Sequence, residues 1–210
     1  MKAVSLDDVR RRAYYRIFGG DRALAGLLRP GMRVLDVGCS DGRGSVELTG
    51  AFGCDVHRPT LETARDNGLR TAVVQTDVRS LPYRDNAFDV VVSLDVIEHF
   101  EKPDALRVLD ELDRVAASTV VVQTPSGFVP QPPTDTEPWQ EHRCGFEADE
   151  LRARGFAVRG LGGWAGLRRA YGAFKGGPFG QLAALLSEPY VRADADRAFH
   201  LLAVKHVRAH

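Results

Sequence analysis

Two histidines and five carboxylates carry the chemistry open to this chain. His99 and His142 are imidazoles able to take a proton from an attacking hydroxyl near neutral pH. His99 follows a long apolar run, and His142 lies in Gln140-Glu141-His142-Arg143-Cys144-Gly145-Phe146. Asp95, Glu98 and His99 are separated by steps of three and four. On one helical turn that spacing puts oxygen and nitrogen ligands on one face, a set suited to a divalent ion. Carboxylates also favour a helix start for its dipole alone, and the spacing is read that way, with no metal assigned. Asp36, Asp55 and Asp77 each stand at the end of an apolar run, where a charge needs a purpose to be kept.

The segment that positions Asp36 reads Val34-Leu35-Asp36-Val37-Gly38-Cys39-Ser40-Asp41-Gly42-Arg43-Gly44-Ser45. An apolar strand enters a loop with three glycines in seven residues, and a helical pattern begins at Ser45. Such a strand, turn and helix start bind cofactors: glycine lets backbone approach a ligand, and the first turn of the helix offers unpaired N–H groups. Asp55 lies 19 residues after Asp36, at the end of the next strand, Phe52 to Val56. An acid there is placed to accept hydrogen bonds from both hydroxyls of a ribose. The loop lacks the G-x-G-x-x-G of hydride-transfer enzymes, and no G-x-x-x-x-G-K-[ST] loop for phosphates occurs.

The rest of the chain alternates strand and helix. A helix over residues 5–16 with Ser5 as N-cap and a second from Asp21 to Arg29 form an N-terminal helical cap (1–30). Strands follow at Met32–Val37, Phe52–Val56, Arg70–Thr76, Phe88–Leu94 and Thr119–Gln123, with helices at Thr60–Asn67 and Pro103–Ala116. Residues 125–139 hold five prolines and form a long loop of the kind compact domains keep for function. A helix at Glu147–Arg154, a strand at Phe156–Val158, a helical and glycine-rich insertion at 160–195 and a last strand at Phe199–Val207 complete one domain, 1–210. Successive β-α units with right-handed crossovers make a doubly wound α/β sheet with the Gly38–Gly44 loop at its switch point.

Composition narrows the classes. Lys+Arg and Asp+Glu are each 28, so overall charge gives no argument for nucleic acid or an anionic membrane. Residues 1–33 carry +5, residues 34–117 −7 and residues 118–210 +2. Three cysteines without C-x-x-C spacing, Cys39, Cys54 and Cys144, speak against a disulfide framework or a zinc site. With no apolar leader and no run of ~20 apolar residues, a cytoplasmic protein without a membrane partner is expected, as monomer or homodimer.

Over about residues 30–160 the chain resembles the class I S-adenosylmethionine-dependent methyltransferases. Val34 to Gly42 is similar to the family's first motif, D/E-x-G-x-G-x-G, with Ser40 where the second glycine is common. Phe88-Asp89-Val90-Val91-Val92-Ser93-Leu94-Asp95-Val96-Ile97-Glu98-His99 is close to the strand-four motif of the small-molecule type. The resemblance implies a mostly parallel, seven-stranded Rossmann-like sheet, helices on both faces and an antiparallel last strand. It implies S-adenosylmethionine as cofactor, held by Asp36, Gly38, Cys39, Ser40, Gly42, Asp55, Val56, Asp77, Val78 and Leu94, with Thr76-Asp77-Val78 at the adenine. His142, before His99, is the expected catalytic histidine. D-x-x-E-H also resembles the E-x-x-E-H metal site of certain quinone and RNA-terminus methyltransferases. The segment Gln123 to Gln131 is similar to a subgroup of bacterial glycan or secondary-metabolite pathways, so O-methylation of a small molecule is expected. Two alternatives stay open: an RNA methyltransferase, suggested by Arg10-Arg11-Arg12 and Arg16, and a nucleoside-binding module without activity. Trp139, Trp164, Tyr171 and Phe174 either wall an acceptor pocket or fill a small cap.

Overall fold

The computed structural model describes residues 21–43, 48–133, 138–168 and 174–207. Seven strands form one sheet: β1 Val34–Val37, β2 Ala51–Asp55, β3 Arg70–Gln75, β4 Phe88–Leu94, β5 Ala116–Pro125, β6 Ala157–Trp164 and β7 Ala198–His206. Their order is β3-β2-β1-β4-β5-β7-β6. Strands β1 to β5 run parallel, and β7 is antiparallel to both β5 and β6. The mostly parallel seven-stranded sheet with an antiparallel last strand is thus the architecture of the chain. Around it lie α1 Asp21–Leu27, α2 Arg58–Asp66, α3 Lys102–Val115, α4 Ala148–Ala153 and α5 Gly177–Ala193.

Strand side chains alternate between faces, so a strand apolar throughout must be covered on both sides. In the central strands Val91, Val120 and Val122 enter one core, while Val90, Val92 and Val121 enter the other. Helix α3 faces the first core with Ala105, Val108, Leu109, Leu112 and Val115 at helical spacing. Each fully buried Val or Leu contributes ~1.5–3 kcal/mol, which makes α3 a main anchor of the sheet. Helix α4 adds Ala148 and Leu151 to that core, and α1 sets Leu24 in the second.

The sequence reading and the structure part at two strands. Strand β5 starts at Ala116, directly at the C-cap of α3, and runs on to Pro125. Strand β6 is eight residues long, so Gly160 to Trp164 belong to the sheet and not to an insertion spanning 160–195. Its glycines are there for contact with a helix. A Cβ at Gly160 would lie 2.1 Å from the Val191 carbonyl oxygen, and one at Gly163 2.6 Å from that of Ala184, both on α5. The glycines bring helix and strand backbones together, a use of glycine that resembles a loop signal in sequence. The helices expected at 5–16 and from Ser45 fall on residues outside those described, apart from the stretch after 47, and so does Tyr171. Among the described residues no helix is long and apolar enough to cross a membrane.

Candidate active site

A cavity of about 520 Å³ opens at the C-terminal ends of β1 to β4, where the strand order reverses. Its first wall is the loop after β1. The N–H groups of Gly38 and Cys39 both donate to the Cys54 carbonyl, at 2.8 and 3.0 Å, folding the loop over the end of β2. Gly38 has φ +76°, and a Cβ there would stand 2.3 Å from a methyl of Val96. Ser40 takes φ +47° without being glycine, a conformation costing an L-residue ~1–2 kcal/mol. The Ser40 N–H donates to Asp55 Oδ2 and the His57 N–H to Oδ1, each at 2.9 Å. Two backbone donors therefore fix the Asp55 carboxylate at the cavity wall, and each oxygen keeps room for a further donor. Gly42 is not part of that wall. Its N–H donates to the Cys39 carbonyl at 2.9 Å, and a Cβ would press on Leu69 and Ala64, so it closes the turn against α2.

Asp36 lines the cavity but is buried in an ion pair. Arg70 Nε and Nη2 both donate to its Oδ2, at 2.9 and 2.5 Å. Burial pushes the Asp36 carboxyl above its ordinary value, against the pull of Arg70. Asp77 has a partner too. The Arg79 guanidinium grips both its oxygens, holding the carboxyl below the usual range, and extends Nη1 to Asp104 at 2.6 Å. Val56, Val78 and Leu94 supply apolar wall between these acids. Trp139 borders the cavity and lies against the His57 ring, with centroids 4.2 Å apart. Trp164 and Phe174 are not among its lining residues, and Phe174 lies under the Arg168 guanidinium at 3.8 Å.

The far end departs most from expectation. Asp95, Glu98 and His99 do not share a helix face. Only Ile97–His99 form a 3₁₀ turn, and Asp95 precedes it with φ +54°. Asp95 instead accepts from Gln123 Nε2 at 3.1 and 3.3 Å, with His200 Nε2 at 3.7 Å. Glu98 turns into the protein, 1% exposed, where Oε2 accepts from the Thr124 hydroxyl at 3.1 Å. Burial, aided by the nearby Asp95 carboxylate, pushes its carboxyl well above the ordinary value. The proline-rich loop is stitched to this turn, since the Arg143 and Cys144 N–H groups both donate to the Glu98 carbonyl, at 2.8 and 3.2 Å. The stitching brings His142 to His99, with ring centroids 4.9 Å apart at 62°. His99 lines the cavity, whereas His142, the histidine favoured from sequence, is not among its lining residues.

Arg70, Arg79, Gln123 and His200 were not expected from sequence. One sign of Arg70 was present: Gly53 inside β2, since a glycine in a strand marks a close approach. A Cβ there would stand 2.7 Å from Cys39 Sγ and 3.2 Å from Arg70 Cγ.

Residues 35–121 match the family of the methyltransferase domain. That match and the fold together support a class I S-adenosylmethionine-dependent methyltransferase domain. A probable tRNA methyltransferase 9B of Mus musculus is 37% identical over 93 residues, covering 42% of this chain and 20% of that protein. The 27-O-demethylrifamycin SV methyltransferase of Amycolatopsis mediterranei is 32% identical over 105 residues, 44% of this chain and 38% of the relative. The chain thus spans about a fifth of the first relative and under two fifths of the second. Among solved structures, the complex between the Haloferax volcanii Trm112 methyltransferase activator and the putative methyltransferase aligns at a TM-score of 0.59. It is 17% identical, covering 97% of this chain and 94% of that one.

Proposed function

We propose that the protein transfers the methyl group of S-adenosylmethionine to a hydroxyl oxygen of a small molecule, of the kind made in glycan or secondary-metabolite pathways. The observation that carries this reading is one cavity lined by both the backbone-held Asp55 carboxylate and His99, whose ring in turn lies against His142. The residues present fit the cofactor. Asp55 keeps acceptor capacity for a ribose diol, and Asp77 and Val78 line the same cavity with Val56 and Leu94, where this reading puts the adenine. The cofactor supplies an activated sulfonium methyl whose leaving group is a neutral thioether. Holding two reactants in line is worth up to ~7–11 kcal/mol, so the protein's main task is positioning. A hydroxyl must also lose its proton, and His99 is the imidazole that lines the cavity, with His142 against its ring.

The cavity wall favours a small acceptor over RNA. Seven carboxylates line it, Asp36, Asp41, Asp55, Asp77, Asp95, Glu101 and Asp104, against two arginines, Arg79 and Arg143. A phosphate backbone would be repelled there, although the tRNA methyltransferase relatives and the N-terminal arginines keep the RNA reading in the test.

Calorimetry with S-adenosylmethionine and S-adenosylhomocysteine is the first experiment, with Asp55→Ala as the variant. The variant is expected to bind at least about tenfold more weakly, the loss of charged hydrogen bonds worth ~1.5–3 kcal/mol. No binding by the wild type at millimolar ligand, or equal affinity in the variant, refutes the reading. Labelled methyl donor with fractionated extract then identifies the acceptor. Label in RNA favours the alternative, and binding without label in any fraction identifies an inactive module.

A further inference from the structure

We propose that the solvent face of α5 is an interface at which two copies of this chain pair about a two-fold axis. Helix α5 is 17 residues long and carries two charged side chains, Glu188 and Arg192. Its buried side, with Gly180, Ala184, Glu188 and Val191, packs on β6, where Gly160 and Gly163 bring the two backbones together. The opposite side is apolar as well. Phe179, Leu182, Leu186 and Tyr190 follow at steps of three and four, with Leu185 beside them. All five are exposed, Phe179 by 84% and Leu186 by 73%. A helix apolar on every side belongs in a core, so this face is built to be covered.

The size, order and charge of the face select a second copy as its occupant. Trp164, also exposed, adjoins it, its N–H donating to Ser187 Oγ at 2.8 Å. With ~150–250 Å² for a fully exposed aromatic side chain, the three rings and three leucines present on the order of 500 Å² of apolar surface. Two such faces together cover about 1,000 Å², the size at which specific interfaces begin. From either end the stripe reads ring, leucine, leucine, ring. Laid antiparallel across an axis near Leu185, Phe179 of one copy meets Tyr190 of the other, and Leu182 meets Leu186. A two-fold contact requires such self-complementarity, because every residue pair in it occurs twice.

Charge decides between protein and lipid. Glu188 is buried, its Oε2 accepting from the Gly163 N–H at 2.8 Å, and Arg192 lies back toward it at 3.6 Å. The middle of the face therefore holds no charge, as in the centre of a protein–protein interface, where aromatic residues are enriched and Lys, Glu and Asp depleted. A helix that rests on a lipid surface is rich in Lys and Arg on its polar side. The side of α5 turned away from this face holds Glu188 instead. No residue of α5 lines the cavity, so the pairing surface is separate from it and the inference is independent of the transfer reading.

The test is sedimentation of the full chain, 23.0 kDa, over a range of concentrations. A particle of twice that mass is expected. Leu186→Asp is expected to weaken self-association at least about a hundredfold while keeping the far-UV spectrum, because it puts a charge at the centre of the contact. A wild type that stays monomeric throughout, or a dimer that Leu186→Asp leaves intact, overturns the proposal. Leu185→Cys gives a second readout that does not depend on that variant folding. Cys39, Cys54 and Cys144 are buried, so mild oxidation is expected to link two copies through the introduced thiol. A disulfide forms only where the two Cα atoms come within ~7 Å, so failure to cross-link overturns the pairing. Equal cross-linking of Thr63→Cys, on the exposed side of α2, also overturns it. Flotation of a monomeric wild type with phosphatidylglycerol vesicles, lost in Leu186→Asp, would assign the face to lipid and overturn it too.

Discussion

Arg70, the first residue of β3, crosses Gly53 of β2 and closes on the Asp36 carboxylate of β1. Three strands are thereby tied by one ion pair whose side chains are 1% and 6% exposed. Removing one partner of such a pair leaves the other charge stranded, and breaking it costs ~3–5 kcal/mol. Arg70→Met is therefore expected to lower stability by about that amount, read as a shift of the urea midpoint at constant slope. The double variant Arg70→Met/Asp36→Asn is expected to recover part of the loss, since no bare charge remains.

Arg114 pins the loop after β3. It donates to both Glu111 oxygens, to Asp85, and to the carbonyls of Leu81 and Tyr83. The hydrogen bond from Arg114 holds the Glu111 carboxyl below its ordinary 4.5, more than partial burial raises it. A depressed folded-state value means the unfolded chain binds more protons between that value and 4.5. Stability from Glu111 is present above pH 4.5 and is lost as pH falls through the folded value. Glu111→Gln is expected to flatten the acid side of a stability–pH curve below 4.5 while lowering stability at neutral pH.

Gly160 tests the contact between β6 and α5. Gly160→Ala places a Cβ 2.1 Å from the Val191 carbonyl oxygen, backbone that cannot rotate away. A loss of ~1–3 kcal/mol is expected from overpacking, measured as a fall in Tm. Gly26→Ala in α1 is the control with the opposite sign. Nothing lies within 4 Å of its Cβ position, and a helical Gly→Ala change gains up to ~1 kcal/mol.

Where sequence and structure agree, a local pattern was enough. Strand β4 runs from Phe88 to Leu94, both ends as the apolar run predicts. Asp55 was legible because spacing alone puts it at the end of the second strand, beside the loop after the first. The end of the cavity near His99 was not legible, because it depends on contacts distant in sequence. Asp95 enters a left-handed conformation that its side chain does not announce, and this undoes the helical spacing of Asp95, Glu98 and His99. The loop that carries His142 to His99 is held by backbone hydrogen bonds to Glu98, which no periodicity reveals. Gly42 shows a different limit. A glycine at φ +79° reports a turn, not whether the turn touches a ligand.

Strand β7 is the last of the seven in sequence, yet it sits between β5 and β6 and is the neighbour through which β6 joins the sheet. As the polypeptide emerges from the ribosome, β5 has an open edge and β6 has nothing to pair with until Ala198 to His206 arrive. Up to that moment the cofactor half can assemble from nearby segments, while the other half presents unpaired strand to its surroundings. The late residues act as a latch, and a synthesis halted before them would leave a protein with the loop after β1 formed and an adhesive flank.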